Sequence, residues 1–191
     1  MDTKELVTSN SNSKNKWTRR FFLTSIIQGA IAVLLTIMLA SFVISTPYAE
    51  YLISNILESP AIGYIEIAAL AGLALYFLIG VIATGISTLF YHYLEFHLVK
   101  NYDKFTNVLA WMHLILMNIG ISSASLIMIY AGYLGDIAIF PKEIGGFGMT
   151  PMQVSQNLLN QFIIPVGVML LVAATGAICG GLGFIITFLQ K

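Results

Sequence analysis

Charge is scarce in this chain. Lysine, arginine, aspartate and glutamate together make up 9% of its 191 residues, against 58% apolar residues. A soluble domain carries about 25% charged residues. So few charges cannot cover a water-facing surface, and the expected solvent is lipid. Formal net charge is zero, which excludes the basic field that draws nucleic acid. Cysteine is nearly absent. Cys179 stands alone inside an apolar run, so an intrachain disulfide and every cysteine-based metal motif are excluded. It suits the small buried apolar role of a free thiol. There is no phosphate loop, no Gly-x-Ser-x-Gly and no His-Glu-x-x-His. No repeat recurs at 20–50 residues.

What the chain does have is long apolar runs. Residues 1–20 form a polar N-terminal segment: Met1 to Lys16 has no apolar periodicity and is expected to be disordered or loosely held, and Lys16-Trp17-Thr18-Arg19-Arg20 follows. Positive charge and an indole directly before an apolar run read as an interfacial anchor. Residues 21–191 form one transmembrane domain. Its first run, about 21–45, is too long for a signal-peptide core and long enough to span. Gln28 inside it suits hydrogen bonding to a neighbouring helix. Thr46-Pro47 ends that helix. Residues 48–57, with Tyr48, Tyr51, Leu52, Ile56 and Leu57, are amphipathic enough for a short interfacial helix. Ser59-Pro60 starts a second helix, about 60–99. A third covers about 105–133 and is broken by Gly132, Gly135 and Asp136. The fourth, about 151–190, starts from the capping box of Thr150 and Gln153 with Pro151 in its first turn, and Pro165 is expected to kink it. The fold class is therefore all-α: a polytopic membrane protein with four transmembrane helices.

Orientation follows from the cations. Lys4, Lys14, Lys16, Arg19, Arg20, Lys100, Lys104 and Lys191 fall on one side of a four-helix arrangement, and only Lys142 on the other. The positive-inside rule places both termini and the 100–104 loop in the cytoplasm, and the chain in the cell membrane as a multi-pass protein. In the fourth helix Gly176 and Gly180 have the Gly-x-x-x-Gly spacing that admits a close backbone. Other membrane subunits of a larger assembly are the expected partners there, besides the bilayer itself.

The candidate site is a pair of histidines. His92 lies ten residues before Tyr102 and His113 eleven after it, so an antiparallel hairpin turning there sets them level. Gly85 and Gly120 lie seven residues further in on the respective helices, two turns along the same faces, and thin both faces in register. A flat ligand, a haem held by two imidazoles or a quinone ring, fits such a slot. Glu95 shares the His92 face, and His92, Glu95 and His113 form a possible metal set. Met117, on the face of His113, offers a thioether to haem or copper or simply fills the core. The same residues also suit a structural role, hydrogen bonding between helices. His97 lies beyond the apolar run and is expected to be solvated, while Tyr91, Tyr93, Tyr102 and Trp111 form an aromatic belt.

The run Trp111-Met112-His113-Leu114-Ile115-Leu116-Met117-Asn118-Ile119-Gly120-Ile121, continuing to Ala131-Gly132-Tyr133-Leu134-Gly135, resembles a late helix of the catalytic subunit of haem-copper oxidases and nitric oxide reductases. The likeness covers residues 110–135 and rests on His-x-x-Leu-x-x-x-Gly and the Ala-Gly step. That family's His-x-His pair on the preceding helix has no counterpart, since His92 and His97 are five apart, so no haem ligand carries over. The resemblance implies a small companion or remnant of a respiratory membrane complex. Three functions are open: a subunit of a membrane redox complex, a structural or assembly protein packing against a larger partner, and a small transporter or channel. The last is weakened by the scarcity of polar residues in the helices and the lack of a broken-helix pair.

The topology is directly testable. A cysteine placed at Asn101 is expected to stay unlabelled by an impermeant maleimide in intact cells, and one at Gly145 to label. Labelling of position 101 from outside would overturn the orientation.

Overall fold

The computed structural model describes residues 16–45 and 60–190. Among these the chain is helical, without a strand. The helices are α1 (Lys16–Ser45), α2 (Pro60–Leu75), α3 (Thr84–His92), α4 (Lys104–Ile139), α5 (Pro151–Val154) and α6 (Asn160–Leu189). Wider π-helical segments, Tyr76–Ala83 between α2 and α3, Tyr93–His97 after α3, and Ser155–Leu159 between α5 and α6, keep each spanning segment continuous. Four stretches are long and apolar enough to cross a membrane: Lys16–Phe42, Ala68–His97, Lys104–Ile139 and Pro151–Leu189. The described residues are thus all-helical, and four apolar helices of spanning length make the chain a multi-pass membrane protein. The expected interfacial helix at 48–57 and the polar segment before Lys16 lie outside the described residues.

The outer surface fits that solvent. Ile27, Leu34 and Ile37 on α1 and Ile164, Leu171 and Ile178 on α6 are all more than half exposed. Apolar exposure on this scale marks a surface that water does not cover. The third spanning segment is the most buried and the first the least. α4 packs along α6 on one side and α2 on the other, while α1 leans on α3 and the π segment before it.

Small residues set the spacing between α4 and α6. A Cβ on Gly120 would stand 2.7 Å from the Met169 carbonyl oxygen, one on Gly176 would strike the backbone of Met117, and one on Gly180 would strike the ring of His113. Gly183 faces Leu109. These contacts run in antiparallel register from end to end. The Gly176–Gly180 face, expected to receive another subunit, is therefore occupied by the chain's own third spanning helix. Small residues permit backbone approach, and the nearest backbone here is internal. Gly167 and Gly181 point the other way, into open space.

Two boundaries differ from the sequence expectation: the first helix begins at Lys16 rather than about 21, and the third ends later than expected. The third helix does not break at Gly132 and Gly135 but continues to Ile139, with both glycines buried. An interior glycine costs only about 1 kcal/mol of helix propensity relative to alanine, which close packing offsets. The fourth helix runs through Pro165 and is preceded by a π turn at Ser155–Leu159. The Thr150–Gln153 capping box forms as expected, with Thr150 N–H donating to Gln153 Oε1 at 2.9 Å.

The lysine-rich end is closed by a short turn. Asp103 caps α4, accepting from the Thr106 N–H and hydroxyl at 2.7 Å each. These bonds, the backbone one first, hold its carboxyl below the usual carboxylate range. Gln190 donates to the other Asp103 oxygen at 3.2 Å, and Lys100 Nζ donates to the Gln190 carbonyl. The preceding helix ends with Leu98 N–H on Tyr93 O and Lys100 N–H on Leu94 O, and Val99 takes φ 50°. A β-branched residue in the left-handed region is strained. Val99 is half exposed, so Val99→Gly removes strain and little packing. It is expected to raise stability by about 1 kcal/mol, read as a higher midpoint in thermal unfolding in detergent. A lower midpoint would contradict this.

Candidate functional site

The second spanning segment buries Gly72, Tyr76, Gly80 and Thr84, then Ser87, Thr88, Tyr91, Leu94 and Glu95. A face repeating every four residues drifts around a helix of 3.6 residues per turn. The wider Tyr76–Ala83 segment takes up the drift, as single surplus residues do in π turns. The result is that Tyr91, not His92, faces the bundle. His92 is only partly buried and lies against Phe96, ring centroids 4.3 Å apart, and edge-on to His97 at 6.0 Å. His97 is exposed.

His113 sits in the interior, 8% exposed. Its Nδ1 is 3.3 Å from the Tyr91 hydroxyl and its Nε2 3.4 Å from Ser87 Oγ. Phe21 lies 4.9 Å from its ring, and Gly180 leaves the ring its room. The network selects a tautomer. Ser87 donates its hydroxyl to the Ala83 carbonyl at 2.9 Å, so toward His113 it acts as acceptor. That places the proton on Nε2 and leaves Nδ1 to accept from Tyr91. Both bonds are long, so the Nε2–H is only loosely engaged.

A cavity of about 440 Å³ opens beside it, lined by Ser87, Tyr91, His113, Met117, Gly181 and Phe184 among others. It lies between the second and fourth spanning segments. Ile86, Phe90 and Ile185 on its rim are each roughly half exposed on the apolar surface. The lining is apolar except where Ser87, Tyr91 and His113 meet.

Glu95 is 5% exposed. Its Oε1 accepts from the Trp17 N–H at 2.9 Å, and its Oε2 from the Thr18 N–H at 3.1 Å and the Thr18 hydroxyl at 2.7 Å. It caps the N-terminus of α1 from another helix, where free N–H groups and the helix dipole favour an anion.

The proposed slot is therefore not built as the spacing suggested. His92 points away from His113, and Glu95 is committed to α1. No cluster of three metal-ligating side chains occurs among the described residues, so His92, Glu95 and His113 do not form a metal set. Gly85 faces Ser25 of α1 and Gly120 faces α6, so they do not border one space. Of the expected residues His113 and Met117 line the cavity. Tyr91, the neighbour of His92, meets His113, while His92 itself is turned toward Phe96 and His97. The residues missed are Tyr91 and Ser87, which the four-residue spacing between them could have paired on one helix face.

A second polar cluster lies deeper. Gln28 Nε2 donates to Asn118 Oδ1 at 3.1 Å and to Ser122 Oγ at 3.3 Å. Tyr76 donates to Gln28 Oε1, and Thr84 to Asn118 Oδ1 at 3.4 Å. Gln28 thus joins three spanning segments, the role its position suggested.

Comparison of the chain with protein-family models, with curated proteins and with solved structures gives no match.

Removing the Glu95 carboxylate strands the buried Trp17 N–H. Glu95→Ala is expected to cost about 1–3 kcal/mol and to speed hydrogen exchange in the first turn of α1, with Glu95→Gln retaining part of the protection. Unchanged exchange in Glu95→Ala would show that the carboxylate does not hold α1.

Proposed function

We propose that this chain is a small integral subunit of a membrane redox complex, and that its cavity receives a quinone ring. One observation carries the reading: a loosely engaged imidazole N–H stands at the polar end of an otherwise apolar cavity of about 440 Å³ that opens sideways through the apolar surface. Ligand sites of 300–1,000 Å³ with a few placed polar groups are the usual kind. A quinone carbonyl accepts a hydrogen bond, its ring is flat, and its isoprenoid tail belongs in lipid. His113 donates from Nε2, Tyr91 holds the imidazole in the required tautomer, and Phe184 and Met117 bound the ring. Haem between two imidazoles fits poorly, because His92 does not line the cavity. Electrons come, in this reading, from another subunit. The lysine-rich end faces the cytoplasm of the cell membrane. A structural companion is the second reading, favoured by α1, the least buried of the four spanning segments, whose apolar face is free for a larger partner.

The test uses the purified protein in nanodiscs titrated with a short-chain ubiquinone, read by tryptophan fluorescence, since Trp17 and Trp111 are 5.3 Å apart and Trp17 lies 6.1 Å from Tyr91. Saturable quenching is expected. Gly181→Leu fills the cavity without touching the packing and should abolish saturation; Gly167→Leu, also in open space but about four turns away along α6, should not. His113→Leu should weaken binding up to about tenfold, as loss of one hydrogen bond does. Quenching without saturation, or unchanged by Gly181→Leu, would reject the quinone and leave the structural companion.

A further inference from the structure

At the lysine-rich end the guanidinium of Arg20 is clamped between two indoles. Its Cζ lies 4.6 Å from the Trp17 ring centre and 4.4 Å from that of Trp111, and the indoles meet edge-to-face. Cation–π contacts of this kind fix the plane of an arginine. They do not satisfy its N–H groups, and Nη1 is buried without a hydrogen-bond partner. The Tyr102 hydroxyl, on a ring 6.5 Å from Trp17, is likewise buried without one. Burial, then the nearby Glu95 and Tyr91, push the Tyr102 phenol up from its ordinary value, so it remains a donor. Two donors against one indole thus lack acceptors.

Among the described residues no carboxylate side chain of this end is free to serve. Glu95 holds the N-terminus of α1 and Asp103 holds Thr106 and Gln190. Lys16 and Arg19, in the first turns of α1 with Arg20, and Lys104, at the start of α4, are exposed. Positive charge at the same end of the bundle as an oriented guanidinium suits a planar or tetrahedral oxyanion. Its place, at the end of the apolar belt, is where lipid phosphates lie.

We propose that this end of the bundle binds the phosphodiester of an anionic phospholipid, with Arg20 as the principal donor and the exposed lysines supplying the charge preference. Trp17 and Trp111 hold the guanidinium ready, and Trp111, 39% exposed, flanks the acyl chains. The inference is independent of the quinone reading.

Native mass spectrometry of delipidated protein in detergent, titrated with phosphatidylglycerol or phosphatidylcholine, tests it. Phosphatidylglycerol adducts are expected at roughly tenfold lower lipid concentration. Arg20→Gln should erase the preference, and Lys142→Gln, at the opposite end, should keep it. If Arg20→Gln does not fold, the Lys16→Gln/Lys104→Gln pair serves, with a reduced preference expected. Equal binding of the two lipids, or a preference unchanged in the folded variants, would overturn the proposal. Displacement by inorganic phosphate at the same concentration would also overturn it, by showing a site for the free ion rather than the lipid.

Discussion

A helix that begins at the edge of a bilayer carries backbone N–H groups that lipid cannot satisfy. In this protein the acceptor is Glu95, one helix away, whose two oxygens take three hydrogen bonds from Trp17 and Thr18. The bond does more than close a helix end. It fixes where α1 starts, and so brings Trp17 and Phe21 against Tyr91. Tyr91 in turn touches His113. The charge that looked like a ligand in the sequence is the tether on which the site's surroundings hang. The burial of a carboxylate is costly unless it is fully hydrogen-bonded, and the first turn of α1 supplies that bonding.

The remaining order comes from close approach. Hydrophobicity gives no preference between helices in lipid, so shape and hydrogen bonds decide. Glycines bring α6 onto α4, and the amide of Gln28 ties α1 to the second and third spanning segments. The two devices act on opposite sides of α4. Between the second and fourth segments neither operates, and that is where the cavity beside His113 opens.

Much of this was legible in the sequence. Apolar runs of spanning length, the Thr150 capping box and the role of Gln28 all follow from local chemistry, and the level of His113 follows from counting residues from the loop. What could not be read was rotation. The π segments Tyr76–Ala83 and Tyr93–His97 carry no strong sequence mark, yet they decide that Tyr91 rather than His92 meets His113. The Gly176–Gly180 spacing announced a close neighbour without saying whose, because backbone approach depends on shape alone. Gly132 and Gly135 looked like breakers because propensity was weighed without packing.

The widened turn at Tyr76–Ala83 also bears on how this chain tolerates changes of length. A π turn holds about one residue more than the α repeat requires, so one deletion there can be absorbed by tightening the coil, with Tyr91 and Glu95 keeping their aim. The same deletion in the uninterrupted α4 would swing every later side chain by about 100° and turn Gly120 off α6. The second spanning helix thus carries slack, and its neighbour does not.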